Sequence, residues 1–492
     1  MYGVRLRNSG GKRQSLRPLL WSGRAGGRSA PKGLLEKTPK GEFGFHATRS
    51  PGGAVTRRLS LMPLVALMYL VVSGGAYGLE DAVRIAGPRL TILLCLIVPF
   101  TLSLPTSLMA AELTALMPVE GGFYFWVKEA FGPFAGFLEA YLTLLYTAVD
   151  MAIYPVMFGA YLGFIFPMGW AGEAALALAL VWMSGLLNIM GVRPVGNASI
   201  LLTVLLLAPF AALVGFGLPR LIHWQLPAGH LGGGAFASAL GAGLTIVIWN
   251  FGGWENLSVV AAELENPGRN YLRAIAVTLP LVTLGYLLPL MVSTSGAGTV
   301  TDWRTGSFSQ AGAMIGGHYL GAAIAIGGGV SSFAIFEAGM LWVSRMPFVL
   351  ARERYLPRAL ADLMASTAAP WKSILICCAV FSMLLPLGFV ALVVMDVFFY
   401  MSALALEMGA LLKLRRTHPA RDGRLVIGSS RAALYAIVIG PMLTWTATFG
   451  LALGTENATE GFVAAALIAL AGWPVFAFLK RRYGGPPGTE CA

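Results

Sequence analysis

Three acidic side chains lie near the middle of long apolar segments, where an ionised carboxylate is costly. They are Asp150, Glu255 and Glu337. No Lys or Arg occurs deep inside any apolar segment, so these acids cannot all be neutralised by salt bridges within the protein. Each carboxyl group must be protonated, hydrated in a cavity, or matched by a cation from outside. The pattern predicts a site for a positively charged substrate or for protons.

Glu112, Glu139 and Glu407 lie nearer the cytoplasmic ends of their segments, where snorkelling or a water-filled vestibule would also explain them, and Asp396 lies near an outer end. Glu139 precedes Asp150 by eleven residues, almost three helical turns, so the two share a helix face. Tyr154 follows Asp150 by four residues and belongs to the same face. This column of acids indicates a cation path, and the candidates for proton coupling are Glu139, Glu255 and Glu337.

Aromatic residues accompany these acids along the sequence: Tyr77, Tyr154, Trp249, Phe251, Trp254, Phe333, Phe336, Phe399 and Tyr400. Ring faces attract ammonium groups, although for any single ring simple packing is the alternative explanation. Trp249, Trp254 and Tyr400 are the best candidates, because the tryptophans flank a glycine pair and Tyr400 lies in the upper part of the tenth apolar span. Acids and rings together predict a mid-membrane cavity for a substrate with positive charges and apolar linkers.

These residues belong to a chain of 492 residues that is 57% hydrophobic and only 12% charged, far less charged than a soluble protein. Twelve apolar spans predict an all-α polytopic membrane protein. Their approximate limits are 59–86, 89–117, 133–165, 172–191, 195–218, 240–263, 272–295, 320–348, 372–391, 393–414, 432–454 and 460–479. The stretch 118–132 predicts a short interfacial helix.

The sequence has no GxxxxGK-S/T, HExxH or GxSxG pattern. We therefore predict neither an enzyme nor an ATP-driven pump, and no cofactor or metal site.

Two of the spans are interrupted by glycines near their middles. Span one contains "SGGAYG" at 73–78, which includes Gly74 and Gly75, and span six contains "FGGW" at 251–254. The two spans are five apart, so they cross the bilayer in opposite directions. Glycine-interrupted spans at matching positions are a strong sequence indication of a transporter's central site. Close packing of helices through small residues is the alternative explanation.

The distribution of basic residues predicts the orientation. When the N-terminus is placed in the cytoplasm, only Arg84, Arg89, Arg220 and Arg304 of the 35 Lys and Arg fall on the outer side, as the positive-inside rule requires. The net charge of +12 is then explained by anionic lipid at the cytoplasmic face rather than by nucleic acid.

The composition of residues 1–57 predicts a disordered basic cytoplasmic tail, with a transit peptide or an over-long start as alternatives. Residues 58–482 form the predicted transmembrane domain, and 483–492 a short cytoplasmic tail.

Several segments resemble the amino acid–polyamine–organocation superfamily, and within it they are similar to polyamine uptake transporters. They are "SGGAYGLEDAVRIAGP" (73–88), "PVEGGFYFWV" (118–127), "DMAIYPVMF" (150–158), "IWNFGGWENLSVVAAELENPGRN" (248–270) and "FAIFEAGM" (333–340). The resemblance implies a core of five plus five inverted spans, at about 59–218 and 240–414, with two additional helices at about 432–479. It also implies a substrate site between spans one, three, six, eight and ten.

The resemblance assigns individual positions as well. It implies that Asp150 and Tyr154 of "DMAIYP", Asn250 and Glu255 around the second break, and Glu337 of "FEA" are site residues. We therefore predict proton-coupled uptake of putrescine or spermidine through the plasma membrane or a bacterial inner membrane.

The alternative is an amino-acid permease or exchanger of the same superfamily, with a neutral or cationic substrate. In that case backbone amides of the first break, at Gly74 and Gly75, would hold the carboxylate of a zwitterionic substrate. Sodium coupling is a further alternative to proton coupling, because Ser331 and Ser332 in span eight are suited to an ion site.

Overall fold

The computed structural model describes residues 61–117, 122–191, 198–222, 224–225, 234–256, 267–295, 300, 302–352, 356–367, 369–418, 427, 430–452, 463 and 465–483. The predicted N-terminal tail, 1–57, lies outside these residues, as do 484–492 of the predicted C-terminal tail 483–492 and the predicted end of span six at 257–263. Within the described ranges the chain is helical, with no β-strand.

The helices follow one another along the chain as α1 Leu61–Val72, α2 Glu80–Val98, α3 Leu104–Leu116, α4 Gly122–Phe131, α5 Pro133–Ile165, α6 Trp170–Ile189, α7 Ala198–Phe216, α8 Leu218–Ile222, α9 Gly234–Phe251, α10 Pro267–Ser293, α11 Ser307–Gly316, α12 His318–Val343, α13 Arg345–Arg352, α14 Trp371–Leu384, α15 Gly388–Thr417, α16 Arg431–Ala452 and α17 Gly472–Tyr483. A π-helical segment at Pro99–Ser103 joins α2 to α3, and short 3-10 helices occupy Arg358–Ala361 and Leu385–Leu387. The short helix predicted within 118–132 is α4.

Many of these helices have the length and composition of membrane spans. Seven stretches of the described chain are long and apolar enough to cross a bilayer: Glu80–Leu116, Pro133–Ile165, Trp170–Ile189, Asn270–Ser293, His318–Arg352, Trp371–Thr417 and Ala432–Leu451. Shorter apolar helices occupy Val204–Phe216, Phe236–Phe251 and Ala465–Leu479. Exposed apolar side chains such as Trp182, Leu186 and Met383 are what a lipid-facing surface requires. The prediction of a helical polytopic membrane protein is therefore confirmed, whereas the number of twelve spans stays a prediction.

The first interruption lies where the glycines predict it. Helix α1 ends at Val72, the chain runs without regular helix from Ser73 to Leu79, and α2 begins at Glu80. Gly78 has a φ of 93°, a conformation that side chains with a Cβ rarely adopt. A Cβ there would also lie 2.7 Å from a ring carbon of Trp249, so the backbone can approach that ring only because residue 78 is glycine.

The second interruption ends α9 at Phe251. Gly253 has a φ of 82°, and the described residues 252–256 do not continue the α-helix. Both interruptions leave backbone N–H and C=O groups without helical partners, and within a membrane such groups are tolerated where they face protein or a cavity.

Helix α5 is at the centre of the packing that positions these interruptions. Its most extensive contacts are with α15 and α12, followed by α6 and α4. Helix α2 packs against α9, and α1 packs against α10 and α7. A continuous core of buried aromatic and aliphatic side chains runs through these helices and includes Trp126, Tyr161 and Phe251. Both interruptions are tied to α5 by side chains beside them, since Glu80 accepts a hydrogen bond from Tyr161 and Trp249 donates one to Asp150.

One acid near a span end has a partner that local sequence does not reveal. Glu112 on α3 forms an ion pair with Arg415 at the end of α15, and it also accepts a hydrogen bond from the backbone N of Ile427 at 3.1 Å. Snorkelling or hydration is therefore the wrong explanation for Glu112. The ion pair joins α3 to α15. It explains the burial of Glu112 but not that of the acids in the interior.

Candidate functional site

A cavity of about 80 Å³ lies among the two interruptions and helices α5, α12 and α15. Most of the substrate-binding residues predicted from the sequence line this cavity: Gly74, Tyr77, Asp150, Tyr154, Trp249, Asn250 and Tyr400. The structure therefore brings together residues that are more than 300 positions apart in the chain. No Lys or Arg contributes to this cavity wall among the residues that the structure describes.

Asp150 is held in the wall by two neutral donors. The indole Nε1 of Trp249 donates to Asp150 Oδ1 at 2.9 Å, and the hydroxyl of Tyr154 donates to Oδ2 at 3.1 Å. The four-residue spacing places Tyr154 one turn further along α5, and Trp249 lies in the last turn of α9 before the break. Both contacts orient the carboxylate, and neither supplies a compensating positive charge.

The first interruption contributes Gly74 and Tyr77 to the cavity wall. The carbonyl oxygen of Gly74 accepts a hydrogen bond from Ser331 Oγ at 2.8 Å, which ties the break to α12. A Cβ at Gly74 would lie 2.8 Å from Ile335 Cδ1 and 2.9 Å from Ser331 Oγ, so a larger residue there would displace the side chains of α12 that meet the break. Gly75 does not belong to the cavity wall; its backbone N donates to Ser73 Oγ at 3.2 Å. Ser332, like Ser331, lines the cavity.

The second interruption is joined to α15 by Tyr400. The Tyr400 hydroxyl accepts from the backbone N of Gly253 at 2.9 Å and donates to Glu255 Oε2 at 3.1 Å. Glu255 is only 2% exposed and lies behind this tyrosine, outside the cavity wall. Tyr146 packs edge-on against Tyr400, with ring centroids 5.7 Å apart, and its hydroxyl donates to Asn256 Oδ1 at 3.1 Å. Both tyrosines line the cavity.

The other predicted residues are buried away from the cavity. Trp254 is fully buried, and its indole Nε1 donates to the carbonyl of Phe251 at 2.9 Å. Glu337 accepts from Asn188 Nδ2 at 2.7 Å, between α12 and α6. Glu139 is fully buried and accepts from Thr143 Oγ1 at 3.1 Å. In this conformation none of the three lines the cavity.

Asp396 is a cavity residue that the sequence reasoning did not select. It lines the wall, it is 5% exposed, and its Oδ1 is buried without a hydrogen-bond partner among the described residues. It shares this wall with Asp150. The span estimate of 393–414 placed Asp396 at a span end, whereas α15 begins at Gly388 and places it two turns inside the helix.

A second overlooked acid, Glu80, begins α2 directly after the first interruption. It is fully buried and accepts from the Tyr161 hydroxyl, from Gly78 N at 2.7 Å and from Gly306 N at 3.3 Å. It therefore fastens the interruption both to α5 and to the turn that precedes α11. Its position in "SGGAYGLED", directly after the glycine-rich interruption, is the sequence feature that indicates this role.

Long apolar helices that enclose a polar cavity at two helix breaks are characteristic of membrane transporters. The amino acid permease family matches residues 59–474 of the chain, and the chain belongs to this family. Its relatives include a polyamine transporter of Arabidopsis thaliana, 30% identical over 79% of this chain and 81% of the relative. A polyamine transporter of Oryza sativa subsp. japonica is 30% identical over 90% of this chain and 84% of the relative. The serine/threonine exchanger SteT of Bacillus subtilis is 25% identical over 86% of this chain and 96% of the relative. The membership confirms the resemblance to the amino acid–polyamine–organocation superfamily.

Proposed function

We propose that the protein takes up polyamines such as putrescine and spermidine in symport with protons. The single observation that carries this proposal is the composition of the cavity wall. It contains Asp150 and Asp396, and the described part of that wall contains no basic side chain. Two carboxylates with unmet charge attract a substrate with several ammonium groups, and the names of the polyamine transporter relatives support the same substrate class.

Aromatic rings beside these acids suit the same substrate. Tyr154 and Trp249 bind Asp150 and present their rings 6.2 Å apart, centroid to centroid. Ammonium groups are attracted to ring faces, and the methylene linkers of a polyamine pack against the same surfaces. The cavity therefore offers charge for the nitrogens and apolar surface for the carbons.

For proton coupling, we retain Glu139, Glu255 and Glu337, among which Glu255 has the most direct connection to the cavity. Its carboxylate is bonded to the hydroxyl of Tyr400, and Tyr400 lines the cavity. A proton bound at Glu255 would cancel one buried negative charge, whereas its release would restore it. Substrate binding and protonation are then linked by charge, in either direction.

We propose that the transporter has twelve spans, with inverted repeats at 59–218 and 240–414 and two additional helices at 432–479 outside the repeats. Both termini are placed in the cytoplasm, and the membrane is the plasma membrane or a bacterial inner membrane. The two interruptions at 73–79 and 252–256 support the repeat, because each lies at a helix end that faces the same cavity.

An amino-acid permease or exchanger is the second candidate. The similarity to the serine/threonine exchanger SteT favours it, as does the position of Gly74 in the cavity wall, where a substrate carboxylate would meet backbone groups. Ser331 and Ser332 would serve sodium coupling in such a carrier. A zwitterion needs fewer carboxylates than this cavity provides, which is why polyamines are preferred.

The test is uptake of labelled spermidine by the purified full-length chain in liposomes. We expect faster uptake when the external solution is acidic and loss of the acid-driven component in Glu255→Gln. Glu173→Gln, a substitution of the same kind at the start of α6, serves as the matched control. Uptake that is inhibited by leucine or arginine but not by spermidine would replace this proposal with the amino-acid carrier.

A further inference from the structure

Helices α5 and α15 carry the same pattern of acids and tyrosines in opposite order. On α5, Tyr146 follows Glu139 by seven residues and precedes Asp150 by four. On α15, Tyr400 follows Asp396 by four residues and precedes Glu407 by seven. The eleven-residue separation between the acids brings each Asp and Glu to the same face of its helix, about three turns apart.

The two helices pair these positions like with like. The rings of Tyr146 and Tyr400 lie with their centroids 5.7 Å apart, and Asp150 and Asp396 line the same cavity. Because α5 and α15 pack extensively against each other, this register places Glu407 opposite Glu139, about three turns from the aspartates. The order on α15 is reversed relative to α5, so the two helices are antiparallel here. They present an aspartate pair (Asp150 and Asp396), a tyrosine pair and a glutamate pair (Glu139 and Glu407) along one interface.

The glutamate pair, like Asp396 of the aspartate pair, is buried and has a carboxyl oxygen without a hydrogen-bond partner among the described residues. Glu139 is fully buried and Glu407 is 3% exposed. The Oε2 atoms of both side chains lack a hydrogen-bond partner among the described residues, as does Oδ1 of Asp396. Buried acceptors of this kind are costly unless a donor or a cation reaches them for part of the transport cycle.

We infer that a linear polyamine binds extended along α5 and α15, with one ammonium end at the aspartate pair and the other at the glutamate pair. This inference rests on the proposed function and specifies the length of its substrate. Only the aspartate pair opens into the cavity. Tyr146 and Tyr400 line the cavity and lie between the aspartates and the glutamates along α5 and α15. In the proposed complex their rings part to admit the chain and flank its central methylene and ammonium groups.

The spacing of the pairs sets the preferred length. Eleven residues of α-helix rise about 16.5 Å. An extended chain with bonds of ~1.5 Å at tetrahedral angles advances about 1.25 Å per bond, so roughly thirteen bonds between the terminal nitrogens match the two pairs. A long triamine or a tetraamine satisfies this length, whereas a four-carbon diamine reaches only one pair.

The experiment measures binding of α,ω-diaminoalkanes with four to fourteen carbons to the purified full-length protein, by isothermal titration calorimetry. Alkylamines of the same carbon numbers provide the correction for hydrophobicity. We expect an affinity maximum near twelve carbons, at least about tenfold tighter than for the six-carbon diamine, because the second ammonium gains a charge-assisted contact. Spermidine is titrated in parallel.

Three variants test whether the affinity maximum depends on the aspartate pair and the glutamate pair. Glu407→Gln should remove the maximum and leave binding of the short diamines within about twofold, whereas Asp396→Asn should weaken short and long diamines alike. Glu173→Gln should retain the wild-type profile, and the melting temperature of each variant verifies the fold. A profile that follows the alkylamines, or a maximum that survives Glu407→Gln, would overturn the two-pair inference while spermidine binding still supports polyamine transport. Absence of binding by every amine, spermidine included, would overturn both.

Discussion

Replacement of Asp150 by Asn removes the charge of this side chain and preserves most of its hydrogen bonding. The indole of Trp249 donates to Oδ1 at 2.9 Å, and the Oδ1 of Asn accepts the same bond. The hydroxyl of Tyr154 lies 3.1 Å from Oδ2, where Asn has an amide donor, and a hydroxyl can rotate to accept from it. We therefore expect a small change in the free energy of unfolding, about 1 kcal/mol.

The effect of the same substitution on substrate binding should be much larger. A hydrogen bond to a charged group contributes about 1.5–3 kcal/mol, and each 1.4 kcal/mol corresponds to about tenfold in affinity. Asp396 retains its charge beside the site and limits the loss, so spermidine should bind Asp150→Asn about 10- to 50-fold more weakly.

The two effects are measured on one preparation. Thermal unfolding in detergent reports the fold, and competition binding of labelled spermidine in the same detergent reports the site, with Glu173→Gln as the matched control. A variant that melts within a few degrees of wild type and binds spermidine with unchanged affinity would refute the assignment of Asp150 to the substrate. If melting temperature and binding capacity are lost together, Asp150 acts on the fold rather than on the substrate.

Three other substitutions test separate parts of the structure. Gly78→Ala should lower the melting temperature, because it puts a Cβ at a φ of 93° and 2.7 Å from the Trp249 ring, whereas Gly215→Ala, with open space around it, should not. Glu112→Gln should destabilise the protein by about 3 kcal/mol, since it leaves Arg415 without its buried partner; Glu173→Gln again provides the comparison, and an unchanged melting temperature would contradict the ion pair's role. Tyr400→Phe should reduce acid-driven spermidine uptake in liposomes more than it reduces binding, because the hydroxyl joins Glu255 to the cavity; equal losses would indicate a role in substrate contact alone.

Local sequence predicted the interruptions and Asp150 for a physical reason. Glycine pairs and carboxylates stand out against long apolar segments, and both are costly enough in a membrane to indicate cavity-facing backbone or ligand. The structure places Gly74 and Asp150 in the same cavity wall. The spacing of Tyr154 from Asp150 was equally informative, because one helical turn fixes which side chains are neighbours.

The direction in which a buried side chain points was harder to predict from the sequence. Helix α12 is apolar on all sides, so its sequence does not show which face meets the cavity, and Glu337 faces Asn188 of α6 instead. Trp254 follows the second interruption, where the chain is not α-helical, so helical periodicity cannot predict the direction of its side chain. Partners far apart in the chain, such as Glu112 and Arg415, are brought together only by the packing of whole helices.

The position of Tyr400 gives the proposed coupling a physical route. Its hydroxyl binds the backbone of the second interruption at Gly253 and the carboxylate of Glu255, while its ring meets Tyr146 in the cavity wall. Any substrate that parts the two rings must move this hydroxyl, and so disturbs both the interruption and the environment of Glu255. Because linkage is reciprocal, a change in the protonation of Glu255 must alter the free energy of parting the rings by the same amount. Coupling between protons and cargo then needs no further moving element between the two sites.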